Sequence, residues 1–160
     1  MIKIILAFIV SFVLILIQSS FHSYLGICNA FPNLILLLIL ISSISRGHKR
    51  TLVWVFFGGF LLDVFSFNNP IGVSVLVLFL ISYLVAFLSQ NVFKRVSIFS
   101  IILFGIGGTL IYRFLLILIL LIAGLSFQLN FNQLVSQIVY NTALLIPLFY
   151  LLKSMFTARS

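Results

Sequence analysis

The chain has 160 residues, 64% of them hydrophobic and 6% charged, with nine Lys or Arg against one acid for a formal net charge of +8. At a mean hydropathy of +1.40, too much apolar surface is present for a soluble domain of this size to hide, so its solvent is lipid. The positive charge does not indicate nucleic-acid binding, because the basic residues fall in short clusters between apolar runs, the pattern of cytoplasmic loops in membrane proteins.

The single cysteine, Cys28, excludes an internal disulfide. Apolar runs with polar punctuation predict one all-α integral membrane domain over residues 1–160, a compact bundle of about six transmembrane helices. The first span is residues 3–20. It has a basic start at Lys3, but Gln18-Ser19-Ser20 is a poor cleavage site and the apolar core is long, so a retained helix is expected rather than a signal peptide. A polar-aromatic connection with His22, Tyr24, Gly26 and Asn29 follows, and Pro32 suits a first helical turn. The second span, residues 33–45, is short for a bilayer; it either extends back through the connection or sits tilted at the packing edge. The basic loop Arg46-Gly47-His48-Lys49-Arg50 closes it.

The third span, residues 51–67, carries Asp63, the only acidic residue. An ionisable group in such a run marks a functional or packing site, and the stretch 58–74 around it is expected to organise the fold. Asn68, Asn69 and Pro70 form a tight connection, with Asn as a capping residue and Pro70 starting the next helix. The remaining spans are 71–91, stopping near Lys94-Arg95; 97–125, containing Arg113; and 134–152, ending at Lys153 with Arg159 in the tail. Numbering the connections alternately puts every one of these basic groups except Arg113 on one side, so both termini are expected in the cytoplasm.

Counted from the cytoplasmic helix ends, Asp63 lies ~18 Å deep and Arg113 ~24 Å deep. Similar depth, and the cost of an isolated charge there, suggest that the two approach each other directly or through a polar relay. The alternatives are an Arg113 that snorkels toward the outer surface, or an Asp63 that is protonated and caps nearby backbone. Gly59, Asp63 and Ser66 share one helical stripe. Small residues also recur at Ala7 and Ser11, at Ser82, Ala86 and Ser89, and at Gly105, Gly108 and Thr109, which suits close helix packing. Gln137 and Asn141, one turn apart, read as interhelical hydrogen-bonding groups, with Pro147 as a kink.

Catalytic chemistry finds little to use. One carboxylate cannot form an acid–base pair. His22 and His48 fall on opposite predicted sides and so cannot share a metal or a nucleophile. No phosphate-cradling glycine motif is present, and neither an enzyme activity nor a cofactor is expected.

Several landmarks occur in order: Phe31-Pro32-Asn33, Arg46-Gly47, Gly58-Gly59 with Asp63, Pro70-x-Gly72, Tyr83, Asn141 and Pro147-Leu148. In order, spacing and six-span frame the chain resembles the bacterial rod shape-determining protein family MreD over nearly its whole length. The resemblance implies a multi-pass inner-membrane protein of the cell-elongation machinery with no reaction of its own. It would act with MreC and be linked to the MreB cytoskeleton and to peptidoglycan synthesis by RodA and its transpeptidase. By the same analogy Asp63, Pro70 and Gly72 shape the bundle, and a groove receives the partner's helix. Family members often carry an acidic or neutral residue near Arg113, so no role is transferred to it. A second likeness is to the substrate-binding components of energy-coupling-factor vitamin transporters. There Ala7-x-x-x-Ser11 resembles a small-x-x-x-small docking motif, and Asp63 with Arg113 would bind a small zwitterion. The outer loops are short and poor in groups that would specify such a ligand. A channel would need a ring of pore-lining charge that the sequence lacks.

Overall fold

The computed structural model describes residues 2–24, 31–66, 70–92, 97–124 and 130–157. They form six helices: α1 (Ile2–Tyr24), α2 (Leu34–Arg46), α3 (His48–Phe65), α4 (Val73–Asn91), α5 (Ile98–Ile122) and α6 (Phe131–Thr157). By length and composition α4, α5 and the Phe131–Leu151 part of α6 are able to cross a membrane, and Ile5–Ser20 and α2 are shorter apolar helices. Cys28, Asn68, Asn69, Lys94, Arg95 and Arg159 lie outside the described residues.

The centre of the bundle is α2. Its residues from Ile35 to Ser43 are all buried, the pattern of a helix that is apolar on every side. The other five helices all pack against it; around it α1 touches α3, α3 touches α4, α4 touches α5 and α5 touches α6. This corrects the expectation of a span tilted at the packing edge. Thirteen residues make a rod of only ~20 Å. Such a short helix fits where protein rather than lipid meets its ends.

Glycines set the closest approaches. A Cβ on Gly58 would stand 2.7 Å from Ile35 Cγ2, and one on Gly108 2.9 Å from Leu40 Cδ2. Ala7, Ser11 and Ile15, at successive turns of α1, are all buried. On α6 the buried stripe is Gln137, Asn141, Leu145 and Phe149.

Helix directions follow from specific contacts. Phe8 meets Phe57 and Phe12 meets Phe65, so α1 and α3 run the same way. Arg113 meets Gln137 and Thr109 meets Asn141, so α5 and α6 are antiparallel. Asp63 meets Ser74, so α3 and α4 are antiparallel. Gly108 meets Leu40 and Tyr112 reaches Asn33, so α5 runs opposite to α2, and the start of α1, the α2–α3 break and the ends of α4 and α6 share one end of the bundle.

Several boundaries differ from expectation, among them α1, which runs to Tyr24 rather than 20, and α6, which runs to Thr157 rather than 152. The basic segment 46–50 is not a loop: Gly47, at φ 77, is a one-residue break, and His48, Lys49 and Arg50 form the first turn of α3. Hydropathy does not separate a charged helical turn from a loop. The start of α2 agrees with the expected span 33–45: Asn33 caps it, its side chain accepting the Leu36 amide. Helix α6 starts three residues early, within a polar segment whose apolar periodicity is weak, and runs on through the exposed Pro147.

Candidate functional site

The first half of the site is built where α3 meets the start of α4. Gly59 and Asp63 lie one turn apart on the same face. A Cβ on Gly59 would stand 2.7 Å from Val75 Cα and 2.9 Å from Val75 N, so the α4 backbone rests directly on α3. That approach presents Asp63, 3% exposed, to the first amides of α4. Its Oδ2 accepts from Gly72 N at 2.7 Å. Ser74 N donates to Oδ1 at 3.0 Å and to Oδ2 at 3.2 Å. The cap residue of α4 is Gly72, at φ 101, which has no side chain to offer. The first amides of any helix lack intrahelical partners, and hydrocarbon supplies none. Asp63 satisfies two of them from the neighbouring helix and sets a negative charge at the positive end of the helix dipole. Pro70 is exposed, one turn before, and its carbonyl accepts from Val73 N at 3.3 Å.

The second half surrounds the start of α2. Asn33 Oδ1 accepts from Leu36 N at 3.0 Å. Asn33 N donates to Asn141 Oδ1 at 2.9 Å, and Leu34 N donates to Gln18 Oε1 at 3.1 Å. Asn141 is fully buried and donates through Nδ2 to Thr109 Oγ1 at 3.1 Å; the Thr109 hydroxyl donates to the Gly105 carbonyl at 2.8 Å. One amide side chain on α6 thus joins α2 to α5. The α2 and α4 starts share a solution: partners on other helices complete the cap.

Arg113 and Asp63 have separate partners. Arg113 Nε donates to Gln137 Oε1 at 2.6 Å, whereas both Asp63 oxygens face backbone amides. Each residue stands fifteen positions past the first residue of its helix, His48 and Ile98, or ~22 Å along it. The buried Tyr112 hydroxyl lies beside the Ser74 and Asn33 side chains and within electrostatic reach of both charges. It brings the α2 and α4 starts into one polar region.

Sequence reasoning singled out Asp63, Gly59, Gly72, Pro70, Arg113 and Asn141 but left Gln18, Thr109 and Tyr112 without a role in the site. Their signal is weak, since each is one polar residue on a long apolar helix. The trans cap had a readable clue: α4 opens with Pro70-x-Gly72 and brings no capping side chain of its own. Among the described residues no group of three or more His, Cys, Asp or Glu is placed to hold a metal. The arrangement is suited to fixing helix ends in a medium without water.

The comparison with known families bears on what such a framework belongs to. Residues 1–155 match the model of the rod shape-determining protein MreD. The chain belongs to the MreD family. No curated protein and no solved structure gives a significant match. The residues that carry the resemblance now have positions. Asn33 caps α2, Gly47 separates α2 from α3, Gly58 and Gly59 admit neighbouring helices, Asp63 and Gly72 form the α4 cap, and Asn141 ties α6 to α2 and α5. In this chain these residues lie mostly at helix ends and close approaches.

Proposed function

We propose that this chain is a non-catalytic, multi-pass scaffold of the bacterial inner membrane. It acts with MreC in the cell-elongation complex to regulate cell shape and peptidoglycan synthesis. MreB and the RodA–transpeptidase pair are linked to it directly or through MreC. The observation that carries the reading is the use of the one carboxylate: it holds a helix end, with both oxygens on backbone amides. Membership of a rod-shape family supplies the process. In this reading all six helices cross the bilayer, α2 within the shelter of the other five, and both termini are cytoplasmic, at the end that carries Arg46, Lys49 and Arg50.

The transporter reading loses its docking motif. Ala7 and Ser11 are 1% and 0% exposed, and a Cβ on Gly58 would stand 3.9 Å from Ser11 Oγ. The small residues of α1 are thereby consumed inside the bundle. The test is depletion in a rod-shaped host with affinity purification from the same cells. Rounding of the cells and recovery of MreC are expected. Normal rods, or a purified protein that carries a stoichiometric small molecule without MreC, would overturn the scaffold.

A further inference from the structure

Lys49 and Arg50 carry positive charge at one end of the bundle, and the single acidic side chain of the sequence lies at the other. Nine basic residues face one acid, and that acid is buried at the far end of α3, on the amides of α4. Lys49 and Arg50 are exposed in the first turn of α3, which contains no acid, and Arg46 stands in the last turn of α2. The break between the two helices is held firmly. Gly47 N donates to Ser43 O at 3.1 Å. The Thr51 hydroxyl lies 2.9 Å from Gly47 O and 3.1 Å from Ser42 Oγ. A side chain at Gly47 would meet Gln90 Nε2 at 2.8 Å. The cations therefore project from a fixed turn.

The face below them identifies the partner. Lys49, Val53, Phe56, Phe60 and Val64 follow one another at helical spacing along one side of α3. Phe56, Phe60 and Val64 are 57%, 42% and 48% exposed. A cation at the head of an apolar stripe that is half-buried at Val53 and exposed from Phe56 to Val64 matches an anionic amphiphile, with an acyl chain along the stripe and a phosphate at Lys49 and Arg50. A soluble acidic segment would match the cations but not the stripe. We infer that the α2–α3 turn is a binding site for the headgroup of an anionic phospholipid. The inference rests on the membrane-spanning reading above.

Trp54, the single tryptophan, lies one turn beyond Arg50 on α3 and is half-buried, so its fluorescence reports on lipid at this turn. The full-length protein is placed in bilayers of zwitterionic phosphatidylcholine containing a small equal fraction of tail-brominated phosphatidylglycerol or tail-brominated phosphatidylcholine. Quenching by the anionic lipid is expected to exceed that by the zwitterionic one, with a preference of roughly five-fold for each cation engaged. Raised salt and the surface double variant Lys49→Gln/Arg50→Gln are expected to remove the preference while quenching by brominated phosphatidylcholine persists. Equal quenching by the two lipids overturns the site and leaves the membrane-spanning reading standing; no quenching by either overturns both. A preference that survives in the double variant also overturns the site. So does a double variant that loses cell-shape complementation with unchanged lipid preference, because the cations then serve an acidic protein.

Discussion

Asp63 answers two amide groups at once, so the effect of replacing it depends on how many acceptors remain. Asp63→Ala leaves the Gly72 and Ser74 amides without a partner in a low-dielectric region, and unsatisfied buried donors cost about 1–3 kcal/mol each. Asp63→Asn keeps one acceptor and loses the charge. Unfolding in detergent is expected to rank wild type above Asp63→Asn and Asp63→Ala last. Equal stability of the alanine variant and wild type would remove the cap from the account. Gly59 is constrained by backbone rather than by a side chain that could swing away: the added methyl of Gly59→Ala meets Val75 Cα and N. Overpacking of this kind costs about 1–3 kcal/mol. The same measurement should show a loss in that range, while Gly107→Ala, which has nothing within 4 Å of its Cβ, should show little.

Helix α2 illustrates which parts of an element are legible. Its apolar run and its start at Asn33 follow from composition and capping chemistry. Its central place does not, because a short apolar helix at the edge and one at the core have the same one-dimensional pattern. What settles the matter is contact from all sides, including Leu40 against Gly108 and Ile35 against Gly58. Leu40→Ala should therefore open a cavity and cost about 2–5 kcal/mol, whereas Leu121→Ala, at a position 63% exposed, should change unfolding little. Comparable effects would place α2 at the periphery. Asp63 was likewise conspicuous as the lone acid in an apolar run, but the sequence left three roles open to it. The choice depends on α4 arriving with Gly72 at its start and on α3 admitting it at Gly59. The helix that an acid caps is a matter of packing, and no spacing within α3 reports it. Exchange of the two membrane charges tests this directly. Asp63→Arg with Arg113→Asp is expected to give no recovery of folded yield over the single variants, since a guanidinium cannot accept from the Gly72 and Ser74 amides. Recovery would mean that the two charges act as a pair.

At the scale of the molecule, two polar halves meet beside Tyr112: the Asp63 cap of α4, and the Asn33–Asn141–Thr109 connection through α2, α6 and α5. Exposed apolar side chains cover the outside of the surrounding helices. A bundle of this kind presents apolar side chains outside and fixes its own geometry inside, the framework that the proposed scaffold role calls for. The claim beneath this picture is that the sole carboxylate bonds to the α4 backbone. Because the chain has one aspartate and no glutamate, carboxyl labelling of aspartate marks Asp63 alone. Solid-state NMR in bilayers can then measure dipolar coupling from that carbon to labelled glycine and serine amide nitrogens. Strong coupling to Gly72 and Ser74 is predicted; a labelled carboxyl with no coupling to either amide would contradict it.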